Sequence, residues 1–212
     1  MSATPVHQYE SVDRERVGIM ETMKASTHVM RTEPYVFGGQ RWPVVLSLLI
    51  PIGTLVALLT TAENPQQYVE LPIYYRVVLG LHAFYFLSAQ LCYELFPDGM
   101  CVYVTRNPSG RVPRDNNSWA IHFVAGDLMF TTASYYIILA IQNRAPIFAL
   151  MVPIVQCAYN FRNDIVWMAG WFSPETPKTN VNPFALGDAA FIWAFMVVYI
   201  VHYVLATTSS YY

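Results

Sequence analysis

Five apolar runs, each about twenty residues long, limit what this chain can fold into more than any other feature of its sequence. Each run is long enough, as a helix, to cross a hydrocarbon core of about 30 Å. Charged residues make up only 12% of the chain, about half the share that is typical of a soluble domain. The sequence therefore predicts an all-α integral membrane protein, a bundle of about five transmembrane helices. The predicted spans are residues 42–61, 73–96, 118–141, 145–168 and 183–206.

The first 41 residues differ from the rest because charged residues alternate there with apolar ones at near-helical spacing. We expect an extramembrane N-terminal tail with an amphipathic helix over residues 1–41, the five-helix bundle over 42–208 and a short C-terminal tail over 209–212. Five acidic residues in the N-terminal tail argue against a cleavable transit peptide, which is normally poor in acids. Pro51 and Gly53 predict a kink in the first span.

Lys and Arg residues are distributed unequally between the two ends of the predicted spans. Ten of the twelve lie in or beside the N-terminal tail and the loops on its side, and only Arg76 and Arg144 lie opposite. This bias predicts an N-terminus on the cytosolic or matrix side. Arginines near the interfaces are candidates for binding anionic lipid headgroups such as cardiolipin. They are Arg41, Arg76, Arg106, Arg111, Arg114 and Arg162. The net charge of −2 and the lack of a basic patch argue against nucleic acid as a partner.

Polar side chains interrupt the fourth span at residues 156–164. Gln156, Asn160, Asn163 and Asp164 stand at helical spacing on one stripe, whereas Arg162 projects nearly opposite Asn160. We expect the stripe to point into the bundle and Arg162 to snorkel toward the headgroups. Two interpretations of the stripe remain open. It could line a ligand or catalytic cavity, or it could form a hydrogen-bonded seam between helices or subunits.

Other spans carry similar stripes. Gln90 and Glu94 share a face of the second span, and Asp127 shares a face of the third with Thr131 and Ser134. On the fifth span the stripe consists of Asp188, Ile192, Phe195, Tyr199 and His202. Because a lone charge in lipid costs several kcal/mol, we expect these stripes to face inward or toward a protein partner. If the protein is an enzyme, its candidate catalytic residues are Glu94, Asp127, Asn160, Asp164 and Asp188.

Haem is the cofactor that two membrane histidines would bind. His82 and His202 lie at similar predicted depths, as bis-histidine ligation requires, and are the haem candidates. The chain has no HExxH, no GxSxG and no cluster of histidines for a di-iron site. We therefore expect no metal site, and no cofactor other than a bound phospholipid.

Five spans with an acid in VAGDLMF and a histidine in LHAFYF resemble the emopamil-binding-protein-like (EXPERA) sterol isomerases. The resemblance covers the last four spans and implies a proton transfer that shifts a sterol double bond. It implies that Asp127 is the acid of the third span, His82 the histidine of the second and Trp193 an aromatic of the last. The acid expected one turn after the histidine is replaced here by Phe86.

The absence of a complete catalytic set and the short loops favour a subunit over an enzyme. Our leading hypothesis is a non-catalytic accessory subunit of a multi-subunit energy-converting complex, in the respiratory chain or ATP synthase of the mitochondrial inner membrane. Its partners would be other membrane subunits and lipids. One alternative is a small lipid- or sterol-binding protein or isomerase that uses Asp127. The other is a haem- or proton-handling membrane protein.

Overall fold

The protein is mostly helical in the computed structural model, which describes residues 41–96, 98–99, 116–169 and 183–208 together with Met20, Lys24 and His28. Six helices lie in the described ranges: α1 (Arg41–Leu46), α2 (Leu49–Thr61), α3 (Ile73–Leu95), α4 (Asn116–Ile141), α5 (Ile147–Met168) and α6 (Pro183–Thr208). Two short strands accompany them, β1 (Tyr68–Glu70) and β2 (Arg144–Pro146). The helix bounds agree with the predicted apolar runs to within three residues. The predicted C-terminal tail and almost all of the N-terminal tail lie outside the described residues.

Three helical segments in the described ranges are long and apolar enough to cross a membrane: Trp42–Thr61, Val124–Ile141 and Ala189–Thr208. Helices α3 and α5 have sufficient length, 23 and 22 residues, but carry more polar side chains. In α3 these include His82 and Gln90, and in α5 they include Arg162. The described helices are therefore consistent with an integral membrane protein.

The first span is broken between α1 and α2, one turn before Pro51. Proline has no N–H, and its ring collides with the carbonyl four residues earlier, which belongs to Ser47. Two backbone hydrogen bonds here span three residues instead of four, from Leu48 N to Val45 O at 3.0 Å and from Ile50 N to Ser47 O at 3.1 Å. The new helix α2 then begins at Leu49, so that Pro51 falls in its first turn, where an N–H has no helical partner. The kink predicted from Pro51 and Gly53 is thus a break centred on Ser47.

The two strands pair antiparallel, with Val69 opposite Ala145 and Glu70 opposite Arg144. This sheet joins the α2–α3 connection to the α4–α5 connection at one end of the bundle. The pairing continues into α5, because Ile147 N donates to Gln67 O at 2.9 Å and Phe148 N donates to Pro65 O at 3.0 Å. These bonds satisfy two of the N–H groups that the first turn of a helix leaves without a partner. The sheet therefore fixes where α5 starts relative to α3.

Helix packing follows an order that differs from chain order. Helix α4 packs mainly on α3, whereas α5 packs on α2 and α6, and α3 also contacts α6. Leu, Ile, Ala and aromatic side chains make up most of the core between them, with Tyr75, Tyr136 and Tyr199 among the largest that are fully buried. Many large apolar side chains are exposed on the outside of the bundle, as expected for a bundle surrounded by lipid or by other proteins.

Candidate functional site

His82 lies at the centre of the bundle, on α3, with no exposed surface. Its Nδ1 atom is 3.1 Å from the hydroxyl of Tyr199 on α6, and its Nε2 atom has no hydrogen-bond partner among the described residues. Four rings contact the imidazole at centroid distances of 4.7 to 5.9 Å. These rings belong to Phe86, Tyr136, Phe195 and Tyr199, and with His82 they form what we call the aromatic core.

The aromatic core joins α3, α4 and α6. Its rings are stacked or tilted against one another, arrangements that add about 0.5–1.5 kcal/mol for each aromatic pair beyond the buried area. Phe86, which stands where the sterol isomerases have an acid, stacks on His82 with an interplanar angle of 18°. The imidazole is thus surrounded by hydrophobic rings rather than paired with a carboxylate.

His202 lies on α6 at a different level of the bundle. Its Nδ1 atom is 3.0 Å from the Tyr74 hydroxyl, and its ring is 4.4 Å from the ring of Tyr75. Tyr75 and His82 are seven residues apart on α3, which corresponds to about 10 Å along the helix axis. The two haem candidates therefore do not form a facing pair in this structure, and each imidazole is engaged by a tyrosine of the neighbouring helix.

The Arg162 side chain points into the bundle, whereas its spacing predicted that it would point outward. Only 8% of its surface is exposed, and its guanidinium points toward the break in the first span. Nε donates to Ser47 Oγ at 2.7 Å, Nη2 donates to Val44 O at 2.8 Å and Nη1 donates to Asn163 Oδ1 at 2.7 Å. The prediction that Arg162 snorkels to the headgroups is therefore wrong for this structure.

The break explains why Arg162 turns inward. In a continuous helix the Val44 carbonyl would accept from Leu48 N, but that N–H bonds to Val45 O instead. The freed Val44 carbonyl accepts from Arg162 and, at 2.6 Å, from Ser47 Oγ. A carbonyl without a partner inside a bundle costs about 1–3 kcal/mol, and a charged donor forms the stronger kind of hydrogen bond to it.

The same arrangement recurs at three other carbonyls. Tyr135 of α4 donates to Ala149 O at 2.8 Å, the carbonyl that Pro153 of α5 leaves without its helical N–H. At the end of α2, Tyr203 donates to Leu58 O at 2.7 Å. Near the end of α4, Arg76 Nε donates to Ala140 O at 2.7 Å. With the Arg162 contact, these four bonds form what we call the carbonyl seam, a set of side chains that donate to carbonyls at helix breaks and ends. The Leu58 carbonyl, at the end of α2, also keeps its helical donor, Ala62 N, at 3.2 Å.

The seam makes a testable prediction at Pro153. Replacing Tyr135 by Phe removes the donor to Ala149 O, and we expect the free energy of unfolding in mild detergent to fall by about 1 kcal/mol. In a Pro153→Ala background the residue at 153 regains an N–H for the same carbonyl. Tyr135→Phe should then lower the free energy of unfolding by only a few tenths of that 1 kcal/mol. Tyr68→Phe, at an exposed tyrosine, serves as the control. An equal cost of Tyr135→Phe in both backgrounds would contradict the assignment.

The polar stripe of α5 is half-buried rather than enclosed. Gln156, Asn160, Asn163 and Asp164 are all partly exposed, and the Asn160 Nδ2 atom is buried without a hydrogen-bond partner. Asn163 accepts a hydrogen bond from Arg162, which ties the stripe to the seam. Because this bond lies within α5, both interpretations of the run stay predictions.

Asp127 lies on the outer surface of α4 and makes no hydrogen bond or ion pair within the described ranges. The inward side of α4 is instead formed by Gly126, Ala133 and Tyr136. Gly126 lies against the Gln90 amide of α3, where any Cβ would collide with it. Because Gly126 faces the interior, Asp127 lies about 100° further around the helix and is exposed. The inward orientation expected for this stripe is therefore not found, and contact with a protein partner stays a prediction.

The other predicted site residues are distributed over several places. Glu94 is exposed and accepts a hydrogen bond from Gln90 Nε2 at 2.7 Å. Arg76, besides its bond to Ala140 O, donates a hydrogen bond to Asn143 Oδ1 at 2.9 Å. Trp193 is partly exposed and contacts Phe161. The residues that carry the sterol-isomerase resemblance are therefore not brought together, because His82 is central and Asp127 is on the outside. The side chains of Arg41, Arg106, Arg111, Arg114 and Asp188 lie outside the described residues.

Sequence reasoning did not find the aromatic core, although the 15 Tyr and 12 Phe residues are a signal for one. Among the described residues, no group of three or more His, Cys, Asp or Glu side chains is arranged to hold a metal ion. Comparison of the chain with known protein families, with curated proteins and with solved structures finds no match.

Proposed function

We propose that this protein is a membrane-embedded, non-catalytic accessory subunit of a multi-subunit energy-converting complex. The single observation that carries the proposal is the outward position of Asp127 on α4, in the middle of an apolar surface. Val124, Leu128 and Phe130 next to it are each more than half exposed. We place the complex in the mitochondrial inner membrane, as part of the respiratory chain or of ATP synthase.

The energetics of a carboxylate in lipid support a protein partner at this surface. An Asp at the centre of a membrane helix costs about 2.5–3.5 kcal/mol on insertion scales, and such residues normally face a protein interior. Here the bundle's own interior is on the other side of α4. We therefore propose that a helix of another subunit covers Asp127 and supplies a cationic or hydrogen-bond-donating side chain.

The interior of the bundle supports a structural role. Its centre is filled by the aromatic core, and its helix breaks are held by the carbonyl seam. In the proposed topology α3 and α5 also cross the membrane, because the most polar groups of these helices, His82 and Arg162, are buried and their outer surfaces are largely apolar. The bias of basic residues then puts the N-terminus on the matrix side.

Lipid contacts are the second part of the proposed role. Arg144 is exposed at the sheet, and Arg41, Arg106, Arg111 and Arg114 lie at the opposite end of the proposed topology. Arginines at these levels would attract anionic headgroups such as that of cardiolipin.

Native electrophoresis of the tagged protein in a gentle detergent, with mass spectrometry of whatever migrates with it, tests the proposal. We expect the chain to migrate in a large assembly together with respiratory-chain or ATP-synthase subunits. Migration as a monomer or dimer from freshly solubilised membranes would refute the accessory-subunit assignment.

A further inference from the structure

A row of hydroxyl groups continues the Asp127 surface along α4. Thr131 is exposed one turn beyond Asp127, and Ser134 is half-buried in the following turn. Neither hydroxyl makes a hydrogen bond within the described ranges. The spacing of four and then three residues puts the three side chains on one stripe of the helix, about 10 Å long. We call Asp127, Thr131 and Ser134 the polar stripe of α4.

Threonine hydroxyls on the outer apolar helices behave differently. In α2 and α6, five of them donate to the carbonyl four residues earlier in their own helix. They belong to Thr54, Thr60, Thr61, Thr207 and Thr208. Such a bond satisfies a hydroxyl within its own helix. Thr131 and Ser134 do not form it, so both hydroxyl groups are free to bond to another molecule.

Lipid does not supply hydrogen-bonding groups at the depth of this stripe. In the predicted span 118–141, Asp127 and Thr131 lie about 4 Å and about 2 Å from the middle. Acyl chains offer no donors or acceptors there, and a chain that passes α4 in lipid does so as a helix. The spacing of four and three residues matches helices that cross at about 20°. A transmembrane helix that runs along α4 therefore fits the stripe.

No basic side chain that the structure describes in the bundle supplies a positive charge to Asp127. Arg76 donates to Ala140 O near the end of α4, and Arg162 donates at the break in the first span. Arg144 lies on β2, at the sheet. Because a charged carboxylate inside a membrane is normally paired with another side chain, the covering helix is expected to carry a cation.

The polar stripe of α4 suits an arginine better than a lysine. A guanidinium holds five N–H donors in a planar fork, so it can bond both oxygens of a carboxylate and still have donors left. Asp127 and Thr131 are about 6 Å apart along the helix axis, a separation that the fork can bridge. A lysine ammonium is a point charge on one nitrogen and lacks this reach.

We infer that the subunit covering α4 does so with a transmembrane helix that carries an arginine, which pairs with Asp127 and donates a hydrogen bond to Thr131. Ser134, a small side chain, then lets the partner helix approach closely one turn further on. This inference rests on the proposed function, because it specifies the partner that the proposed function requires.

The partner helix is identified from the peptide to which a photoreactive phenylalanine analogue at Phe130 crosslinks in intact membranes. We expect the membrane span of this peptide to contain an arginine. Replacing that arginine by leucine should lower the recovery of the partner with the tagged chain at least about tenfold, and Asp127→Arg should do the same. Asp127→Arg combined with aspartate in place of the partner's arginine should restore recovery to within about threefold of the original.

Thr131→Val tests the second contact of the arginine. It keeps the shape of the side chain and removes the hydroxyl, so recovery of the partner should fall about fivefold, the effect of one lost hydrogen bond. Thr60→Val removes an exposed hydroxyl of α2 and is the matched control, which should leave recovery unchanged.

The inference is overturned if the probe crosslinks to no helix, or to a helix without an arginine in its span. It is also overturned if the exchanged pair does not restore recovery, or if Thr131→Val recovers as much partner as Thr60→Val. The proposed function survives these results as long as the chain migrates with its assembly in native electrophoresis. Migration of the chain alone refutes the proposed function and the inference together.

Discussion

Replacing Arg162 by Met should lower the free energy of unfolding in mild detergent by about 2–3 kcal/mol. The substitution keeps most of the side-chain volume but removes the donors to Val44 O and Ser47 Oγ at the break in the first span. The Val44 carbonyl keeps the bond from Ser47 Oγ but loses its charged donor, and a hydrogen bond to a charged group contributes about 1.5–3 kcal/mol. Arg162→Lys should recover part of the loss, because a single ammonium does not reproduce the fork of the guanidinium.

Arg144→Met is the matched control for this measurement, since Arg144 is exposed on β2 and its replacement should change stability by no more than about 0.5 kcal/mol. Thermal unfolding monitored by size-exclusion chromatography gives the ranking of the variants, and a denaturant titration gives the free energies. If Arg162→Met is as stable as Arg144→Met, the guanidinium does not hold the break, and the carbonyl seam loses its main member.

Asp127→Leu should release the protein from its assembly while leaving the isolated chain at least as stable as before. Removing one member of a desolvated, hydrogen-bonded charge pair at an interface typically costs about 2–5 kcal/mol. The isolated chain loses no contact, because Asp127 makes none within the described residues, and it gains an apolar side chain on a lipid-facing surface. Asp127→Asn, which keeps a hydrogen-bonding group, should weaken the assembly less.

The amount of partner recovered with the tagged chain measures this effect. Thr60→Leu, at an exposed polar residue of α2, is the control and should leave recovery unchanged. Full recovery with Asp127→Leu would mean that no partner covers this surface. Loss of thermal stability in the isolated Asp127→Leu chain would show instead that Asp127 supports the fold.

The helix bounds were predictable because their signals are local. The apolar runs are such signals, and so are turn-forming residues in the sequence: Pro97 and Gly99 follow the second span, and Asn143 precedes the fourth. The buried stripe of α6 at Ile192, Phe195 and Tyr199 follows in the same way from helical periodicity. The strand pair was missed because each strand has only three residues, and its partner is more than seventy residues away.

The direction of polar side chains was less predictable because it depends on neighbouring helices. Arg162 turns toward a break in another helix, where Leu48 N bonds to Val45 O and leaves the Val44 carbonyl to accept from the guanidinium. Asp127 is exposed on α4, whereas its neighbour Gly126 faces the Gln90 amide of α3. Spacing along one helix defines which residues share a stripe, but it does not define which way that stripe faces when several stripes compete for the interior.

Photocrosslinking within intact membranes shows whether another subunit covers the Asp127 surface. A photoreactive phenylalanine analogue is placed at Phe130 of α4, which is 60% exposed on the Asp127 surface. As a control, the same analogue is placed at Phe84 of α3, which is 70% exposed. We predict that the probe at 130 crosslinks to one membrane subunit, identified by mass spectrometry, and that Asp127→Leu abolishes this product. A probe at 130 that reacts only with lipid, as a probe on a free outer surface would, contradicts the account.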